Sequence, residues 1–406
     1  MPSVSLNSAV GQYTIITANY WAFTLTDGAL RMLIILYFHQ LGYTALELAL
    51  LFVFYEVFGV VTNLLGGWLG ARLGLNKTMN FGLLLQIGAL AMLLVPNEFL
   101  TVMWVMAAQA ISGIAKDLNK MSAKSAIKSL VPNNTDSTLF KWVALLTGSK
   151  NALKGVGFFM GGILLATIDF QGAIFSMAVA LSAIFLISIL LLRGDLGKAR
   201  NKPKFTEIFS KSIPVNILSA ARLFLFGARD IWFVIALPVY FTSQLGWSHS
   251  SIGSFFAIWI IGYGIIQSSA PALVTQGNAT KPDGHTAFKL VVPLAALPIS
   301  LAALIYYQLQ IELVLVIGLL LFGVIFALNS AVHSFLIVDY AKEDGVSMDV
   351  GFYYMANAIG RLTGTVLSGL LFQVYGLEVC LIGSSVFLIL AAAISLKLPR
   401  LETQNS

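Results

Sequence analysis

Residues 379–396, VCLIGSSVFLILAAAISL, contain no charged side chain. Eighteen apolar residues wound into an α-helix are long enough to cross the hydrocarbon core of a bilayer, and too long for a strand. A second uncharged run, LVVPLAALPISLAALIYY, fills residues 290–307. The surrounding chain has the same character. Of 406 residues, 58% are hydrophobic and only 10% are charged, against about a quarter charged in soluble domains. A soluble globule of this composition could not cover its surface with polar groups. The composition excludes a cytosolic enzyme and a disordered chain, and the single cysteine, Cys380, excludes a disulfide scaffold. Residues 1–12 carry no lysine or arginine, so no removable signal peptide is expected.

A search for stretches of about twenty mostly apolar residues predicts twelve transmembrane helices. They lie near 14–38, 46–70, 79–95, 100–119, 142–167, 172–192, 217–241, 251–274, 290–307, 313–338, 351–373 and 379–396, and are called spans 1 to 12 here. The loops after the odd-numbered spans up to the eleventh contain no lysine or arginine. The opposite set holds Arg72, Lys77, Lys120, Lys124, Lys128, Lys141, Arg193, Lys198, Arg200, Lys202, Lys204, Lys211, Lys281, Lys289, Lys342, Lys397 and Arg400. Because basic loops are retained in the cytoplasm, both termini are expected there, in a multi-pass protein of the cell membrane. The basic connection 194–216 then separates two six-helix bundles, 1–193 and 217–406.

The two halves echo one another. Gln40-Leu41-Gly42-Tyr43-Thr44 ends span 1 and Gln244-Leu245-Gly246-Trp247-Ser248 ends span 7. Gly113 with Leu118-Asn119 matches Gly323 with Leu328-Asn329, and Asn151-Ala152 matches Asn357-Ala358. These echoes point to duplication of a six-helix unit, the parallel-repeat plan of pseudo-symmetric facilitator transporters.

Seven cations and four acids fall inside spans: Arg31, Lys116, Lys150, Lys154, Arg222, Arg229 and Arg361, with Asp27, Glu56, Asp117 and Asp230. Facing lipid, they would cost on the order of 30 kcal/mol together, so they must pair or line a watery cavity. Spans 3, 6, 9 and 12 carry none, as expected of the lipid-facing helices in the facilitator plan. The cation excess favours an anionic substrate of more than one charge. Lys150 and Lys154 repeat at i,i+4 on one face of span 5, where like charges repel. Either they bracket a phosphate-like oxyanion, with Asn151 beside them, or span 5 starts later and both snorkel to the surface. Arg31, Lys116, Arg229 and Arg361 are the other candidate anion ligands.

Asp27 and Arg31, also i,i+4, read equally as a structural pair or as substrate and proton handling. Arg229 and Asp230 are adjacent and are expected to have other partners. Glu56 has no cation at i±3 or i±4; it is either a titrating group or a neutral hydrogen-bonded carboxyl. Asp27, Glu56 and Asp230 are therefore the proton-coupling candidates. Arg222 is expected to snorkel, and His333 to fill a satisfied structural role beside Asn329.

The segment 66–77, GGWLGARLGLNK, resembles the loop signature of major facilitators, with Gly67, Leu69, Arg72 and Gly74 in register. It departs from it at Ala71, where an acid is expected, and at Leu75-Asn76, where a basic pair is expected. Gly67, Arg72 and Gly74 are the candidate gating residues, and the departure puts charge-relay gating in doubt. Residues 157–162, GFFMGG, are similar to an antiporter motif with Phe158 in place of its proline, and Gln109 stands where proton-coupled drug antiporters have an arginine. Small-residue helix packing explains the same glycines.

A closer likeness lies in NYWAFTLTDGALRML (19–33), SGIAKDLNKMSAKSAIK (112–128) and ALLTGSKNALKGVGFF (144–159). These stretches resemble the ArsJ family of arsenic-resistance permeases. The resemblance implies a twelve-helix major facilitator that exports 1-arseno-3-phosphoglycerate by alternating access, from a central cavity between the halves, and so confers arsenate resistance. It also implies a functional link to glyceraldehyde-3-phosphate dehydrogenase, which makes that ester. The expected partners are thus a small anionic substrate and the lipid bilayer, with the chain a monomer, no nucleic acid, no metal and no cofactor. The rival is an exchanger or proton-coupled carrier of another organic anion or sugar phosphate. An integral membrane enzyme would need a nucleophile or general base in a cleft, which one intramembrane histidine does not supply.

Overall fold

Each of the twelve apolar segments is helical in the computed structural model, which describes residues 8–42, 51–131, 136–192, 196–201, 203–209, 211–275 and 281–400. The helices are α1 (Ala9–Gln40), α2 (Val53–Leu73), α3 (Leu75–Met92), α4 (Val102–Leu130), α5 (Asp136–Leu191), α6 (Ile213–Phe233), α7 (Ala236–Ser243), α8 (His249–Thr275), α9 (Gly284–Tyr306), α10 (Ile311–Tyr340), α11 (Val346–Tyr375) and α12 (Leu377–Ser395). Spans 5 and 6 are the two arms of α5, and span 7 is α6 followed by α7. Expected residues 46–50 of span 2 lie outside the described residues.

At about 1.5 Å per residue, the 56 residues of α5 would extend roughly 84 Å, far beyond one membrane thickness. The chain turns back at Ile168 and Asp169, whose backbone leaves the helical region. Asp169 Oδ1 then accepts the Gly172 amide at 2.8 Å, which caps the second arm. Contacts with α1 establish the reversal. On the first arm, Ser149 Oγ accepts from Trp21, and Gly157 and Gly161 meet Gly28 and Ala29, so the arm runs parallel to α1. On the second arm, Phe170 stacks on Tyr37 and Ser188 accepts from Asn19, so the order is inverted.

Packing divides the chain into two compact units. The first comprises Met1–Thr135, Ser149–Ser210 and Ala341–Met355; the second comprises Asp136–Gly148, Lys211–Tyr340 and Ala356–Ser406. The core of the first unit joins Leu30, Leu33, Ile34 and Phe38 of α1 to Leu83 and Leu90 of α3, Val105 of α4 and Phe170 and Ile174 of α5. The core of the second is aromatic. Trp232 of α6 meets Phe322 of α10 edge-on at 5.1 Å, and the Trp259 indole donates to the Leu319 carbonyl at 2.8 Å.

The same device sets a close helix pair in each unit. In the first, a Cβ on Gly161 would stand 2.5 Å from the Ala29 carbonyl oxygen of α1. In the second, a Cβ on Gly364 of α11 would stand 2.5 Å from the Gly227 carbonyl oxygen of α6. The glycines of the antiporter-like motif therefore serve backbone-to-backbone packing. Gly157 and Gly161 precede Gly360 and Gly364 by the same 203 residues, a fourth echo between the halves. The Gln40 and Gln244 echo is likewise a repeated helix stop: Gly42 and Gly246 both take positive φ, at 91° and 67°. Between α6 and α7 the break falls at Val234 and Ile235, where Pro238 has no amide to give the Val234 carbonyl.

Candidate functional site

In the first unit, four helices bring charge to one buried cluster. Helix α1 contributes Asp27 and Arg31, α2 contributes Tyr55 and Glu56, α4 contributes Lys116, Asp117 and Lys120, and α5 contributes Lys150, Asn151 and Lys154. Tyr55 is the hub. Its hydroxyl donates to Asp27 Oδ1 at 2.7 Å. Its ring carries the Arg31 guanidinium at 4.6 Å and the Lys116 ammonium at 3.7 Å. Arg31 also reaches Glu56 at 3.3 Å. Asp117, deeply buried, holds Lys120 at 2.5 Å and Lys116 at 3.9 Å. Two glycines make this possible: a Cβ on Gly59 would stand 2.8 Å from Asp117 Oδ2, and one on Gly113 would stand 2.6 Å from the Tyr55 carbonyl oxygen.

Lys154 lies in the electrostatic reach of Arg31, Lys150 and Lys116, and of Asp27. Lys150 Nζ donates to Asn151 Oδ1 at 3.3 Å. The snorkelling alternative supposed a later start for span 5, and the helix starts earlier instead. Helix α5 begins at Asp136, so Lys150 is about 21 Å along it at 1.5 Å per residue. Five of the seven residues expected to bind the anion, Arg31, Lys116, Lys150, Asn151 and Lys154, thus belong to this unit.

Arg229 and Arg361 belong to the second unit, where Asp230 of α6 is fully buried between them. Arg361 Nε donates to Asp230 Oδ2 at 3.1 Å, and Arg229 Nε donates to Oδ1 at 2.6 Å. Asp230 thus has the other partner expected of it, Arg361, but it also pairs with its neighbour Arg229, which was not expected. Adjacent side chains leave a helix about 100° apart, but the long arginine side chain curls back while its guanidinium rests near Phe226, Phe233 and Phe326. Each unit therefore contains a buried aspartate that holds two cations, one of them its neighbour in sequence.

Two further expectations are corrected. Arg222 does not snorkel: it is 3% exposed, donates to Asn357 Oδ1 at 2.9 Å and Ser330 Oγ at 3.1 Å, and covers the Phe226 ring at 3.7 Å. Glu56 has no cation on its own helix, as expected; its cation, Arg31, comes from α1. His333 is not satisfied: among the described residues its Nδ1 finds no hydrogen-bond partner, and neither does the Asn329 amide.

Sequence reasoning missed Tyr55, Lys120 and Lys124. The lysines read as loop because charge ends a hydropathy window, yet α4 continues through them to Leu130. Lys124 is 5% exposed; its Nζ hydrogen-bonds the Tyr354 hydroxyl, Lys120 lies 4.8 Å from the Tyr354 ring, and Lys128 donates to the Ala341 carbonyl. Tyr55 could have been suspected from its place beside Glu56, but only packing shows two cations on its ring. Cation–π contacts of this kind are worth about 0.5–2 kcal/mol each. Replacing Tyr55 with Leu is expected to raise the transport KM roughly tenfold, whereas Tyr55→Phe, which keeps the ring, stays within about threefold. Initial uptake rates over a substrate series check this; equal KM values for Leu and wild type would remove the ring from the site.

The candidate gating residues lie at the α2–α3 junction. Gly74, at φ 98°, makes the turn between the helices. The Gly67 carbonyl accepts from Ser347 Oγ at 2.7 Å, and the Arg72 guanidinium stacks on Trp68 at 5.1 Å. The two departures from the loop signature have a structural reason. The Ala199 amide donates to the Ala71 carbonyl, and the Leu75 amide donates to the Leu196 carbonyl, both at 2.8 Å. Ala71 and Leu75 are both buried, and a Cβ on Gly197 would collide with the Leu75 side chain. The linker therefore folds over the two positions at which charge would be expected.

Solved structures of similar shape are transporters. The chain superimposes on a bacterial homologue of the iron transporter ferroportin with a TM-score of 0.74 at 13% identity, covering 95% of this chain and 98% of that one. The proton:xylose symporter XylE gives 0.73 at 13% identity, with 95% of each chain covered. The human organic anion transporter TETRAN gives 0.72 at 16% identity, covering 95% and 98%. At these identities the likeness shows the fold alone. No curated protein matches the chain in sequence. The family model described as Major Facilitator Superfamily matches residues 16–281, well over half the chain. The all-helical fold and that match together make this chain a transporter of the Major Facilitator Superfamily.

Proposed function

We propose that this transporter exports a small, multiply charged organic anion, 1-arseno-3-phosphoglycerate, and so confers arsenate resistance. Members of its superfamily are secondary transporters that work by alternating access, and they perform no covalent chemistry on their substrate. The observation that carries the reading is the charge balance of the first unit's buried cluster. Among the described residues of that cluster, Arg31, Lys116, Lys120, Lys150 and Lys154 stand against Asp27, Glu56 and Asp117, an excess of two positive charges. An arsenate and a phosphate on a three-carbon chain offer the complementary charge and the oxygen acceptors for charge-assisted hydrogen bonds. The likeness of residues 19–33, 112–128 and 144–159 to the ArsJ family supports the choice of substrate.

In this reading Lys150, Lys154 and Asn151 hold one oxyanion, with Arg31 and Lys116 beside them, while Arg229 and Arg361 of the second unit are further candidate anion ligands. Asp27 is the favoured carrier of a coupling proton, because its observed partner is a neutral phenol while Glu56 and Asp230 hold arginines. The two halves, 1–193 and 217–406, joined by 194–216, rock as a monomer in the cell membrane with both termini cytoplasmic. Glyceraldehyde-3-phosphate dehydrogenase supplies the substrate. Inverted membrane vesicles given the dehydrogenase, glyceraldehyde 3-phosphate, its nicotinamide cofactor and arsenate are expected to accumulate arsenic under a proton gradient. Absence of accumulation overturns the export claim. Uptake of a sugar phosphate without arsenate, in exchange for internal phosphate, would establish the exchanger instead.

A further inference from the structure

We propose that the linker, over residues 196–201 and 203–209, is a docking surface for anionic lipid headgroups at the membrane face that carries the basic loops. The segment is fastened to the α2–α3 junction, where two helices leave the bilayer. Besides the two backbone bonds described above, the Trp68 indole donates to the Pro203 carbonyl at 3.1 Å, and its ring meets Phe205 edge-on at 5.7 Å. A single 3₁₀ turn, Phe205–Phe209, is oriented by these contacts: Ile208 points inward at 2% exposure, while Phe205 and Phe209 are 58% and 66% exposed.

Those two phenylalanines lie outside every apolar span, so the hydrocarbon core does not explain their exposure. Lys198, Arg200 and Lys204 of the same segment and Arg72 of the junction are exposed as well. The one acid on the turn, Glu207, accepts the Lys204 amide at 3.1 Å. Aromatic rings interleaved with lysine and arginine at a helix–water boundary match the chemistry of a lipid interface. The rings enter the headgroup layer and the cations meet phosphodiesters. Lipid is favoured over a protein partner because the segment is fastened to the end of α2, a helix long and apolar enough to cross a membrane, whose Leu73 is 47% exposed.

The test uses the full chain, released from nanodiscs containing equal phosphatidylglycerol and phosphatidylcholine and observed by native mass spectrometry. Wild type is expected to retain phosphatidylglycerol preferentially. The triple variant K198Q/R200Q/K204Q is expected to lose that preference by roughly tenfold, as is expected for several basic residues acting on an anionic surface, while a control Lys397→Gln keeps it. Phe205→Ser with Phe209→Ser is expected to reduce retention of both lipids alike. Should the triple variant fail to fold, Lys204→Gln alone, at an exposed position, is expected to show a partial loss. Unchanged preference in the triple variant, or in the single variant if it stands in for it, overturns the proposal. Transport activity is not the readout, so the result is independent of the substrate.

Discussion

Replacing Lys150 and Lys154 together with methionine is expected to lower substrate transport by at least about 100-fold, with expression and monodispersity unchanged. Each lysine offers a charge-assisted hydrogen bond worth about 1.5–3 kcal/mol, so losing both removes roughly 3–6 kcal/mol of anion binding, or 100-fold and more. Methionine keeps the length and packing of the side chain. Folding should not suffer, because the two ammoniums repel one another at i,i+4 and share their surroundings with Arg31 and Lys116; removing them relieves that repulsion. Lys150→Arg with Lys154→Arg keeps the charge and is expected to retain measurable transport. Vesicle uptake, normalised to folded protein by size-exclusion chromatography, provides the measurement. Near-normal uptake by the methionine pair would exclude both lysines from the site.

The second large effect is on folding. Asp230→Asn leaves Arg229 and Arg361 facing a neutral amide in a fully buried position. Breaking a buried ion pair costs about 3–5 kcal/mol. Most of that belongs to Arg229, since the Arg361 side chain is 37% exposed and water screens its share. The expected result is a much lower yield of monodisperse protein and a clearly reduced Tm. Removing the stranded charge as well, in Asp230→Asn with Arg229→Met, is expected to recover part of the loss, because replacing both partners is far less costly than replacing one. Thermal denaturation in detergent reports both variants. A wild-type Tm for Asp230→Asn would show that the pair holds nothing together.

Much of this was legible without coordinates, for an identifiable reason. Lipid demands that every backbone amide and carbonyl be satisfied within its own segment. A long uncharged run such as 379–396 therefore has one outcome, and the structure makes it α12. The glycines at 157, 161, 360 and 364 were also visible, as was their spacing. What they pack against was not visible, because a small residue marks a close approach without naming its partner. Helix α4 shows the limit of the hydropathy argument. Lys120, Lys124 and Lys128 end the apolar window, but their charges are met by Asp117, Tyr354 and the Ala341 carbonyl, so the helix continues eleven residues past the point where composition alone would stop it.

The sequence by itself determined the class of molecule, the positions of its spans and which of them carry charge. These are properties of single segments in a uniform solvent, and periodicity and composition report them directly. Only the tertiary structure decided the partners. Glu56 meets Arg31 of another helix, Tyr55 gathers two cations onto one ring, Asp230 holds its own neighbour as well as Arg361, and the linker closes over Ala71 and Leu75. Each of these depends on which helix faces lie together and on how a long, flexible side chain bends once water is excluded, and spacing along the chain encodes neither.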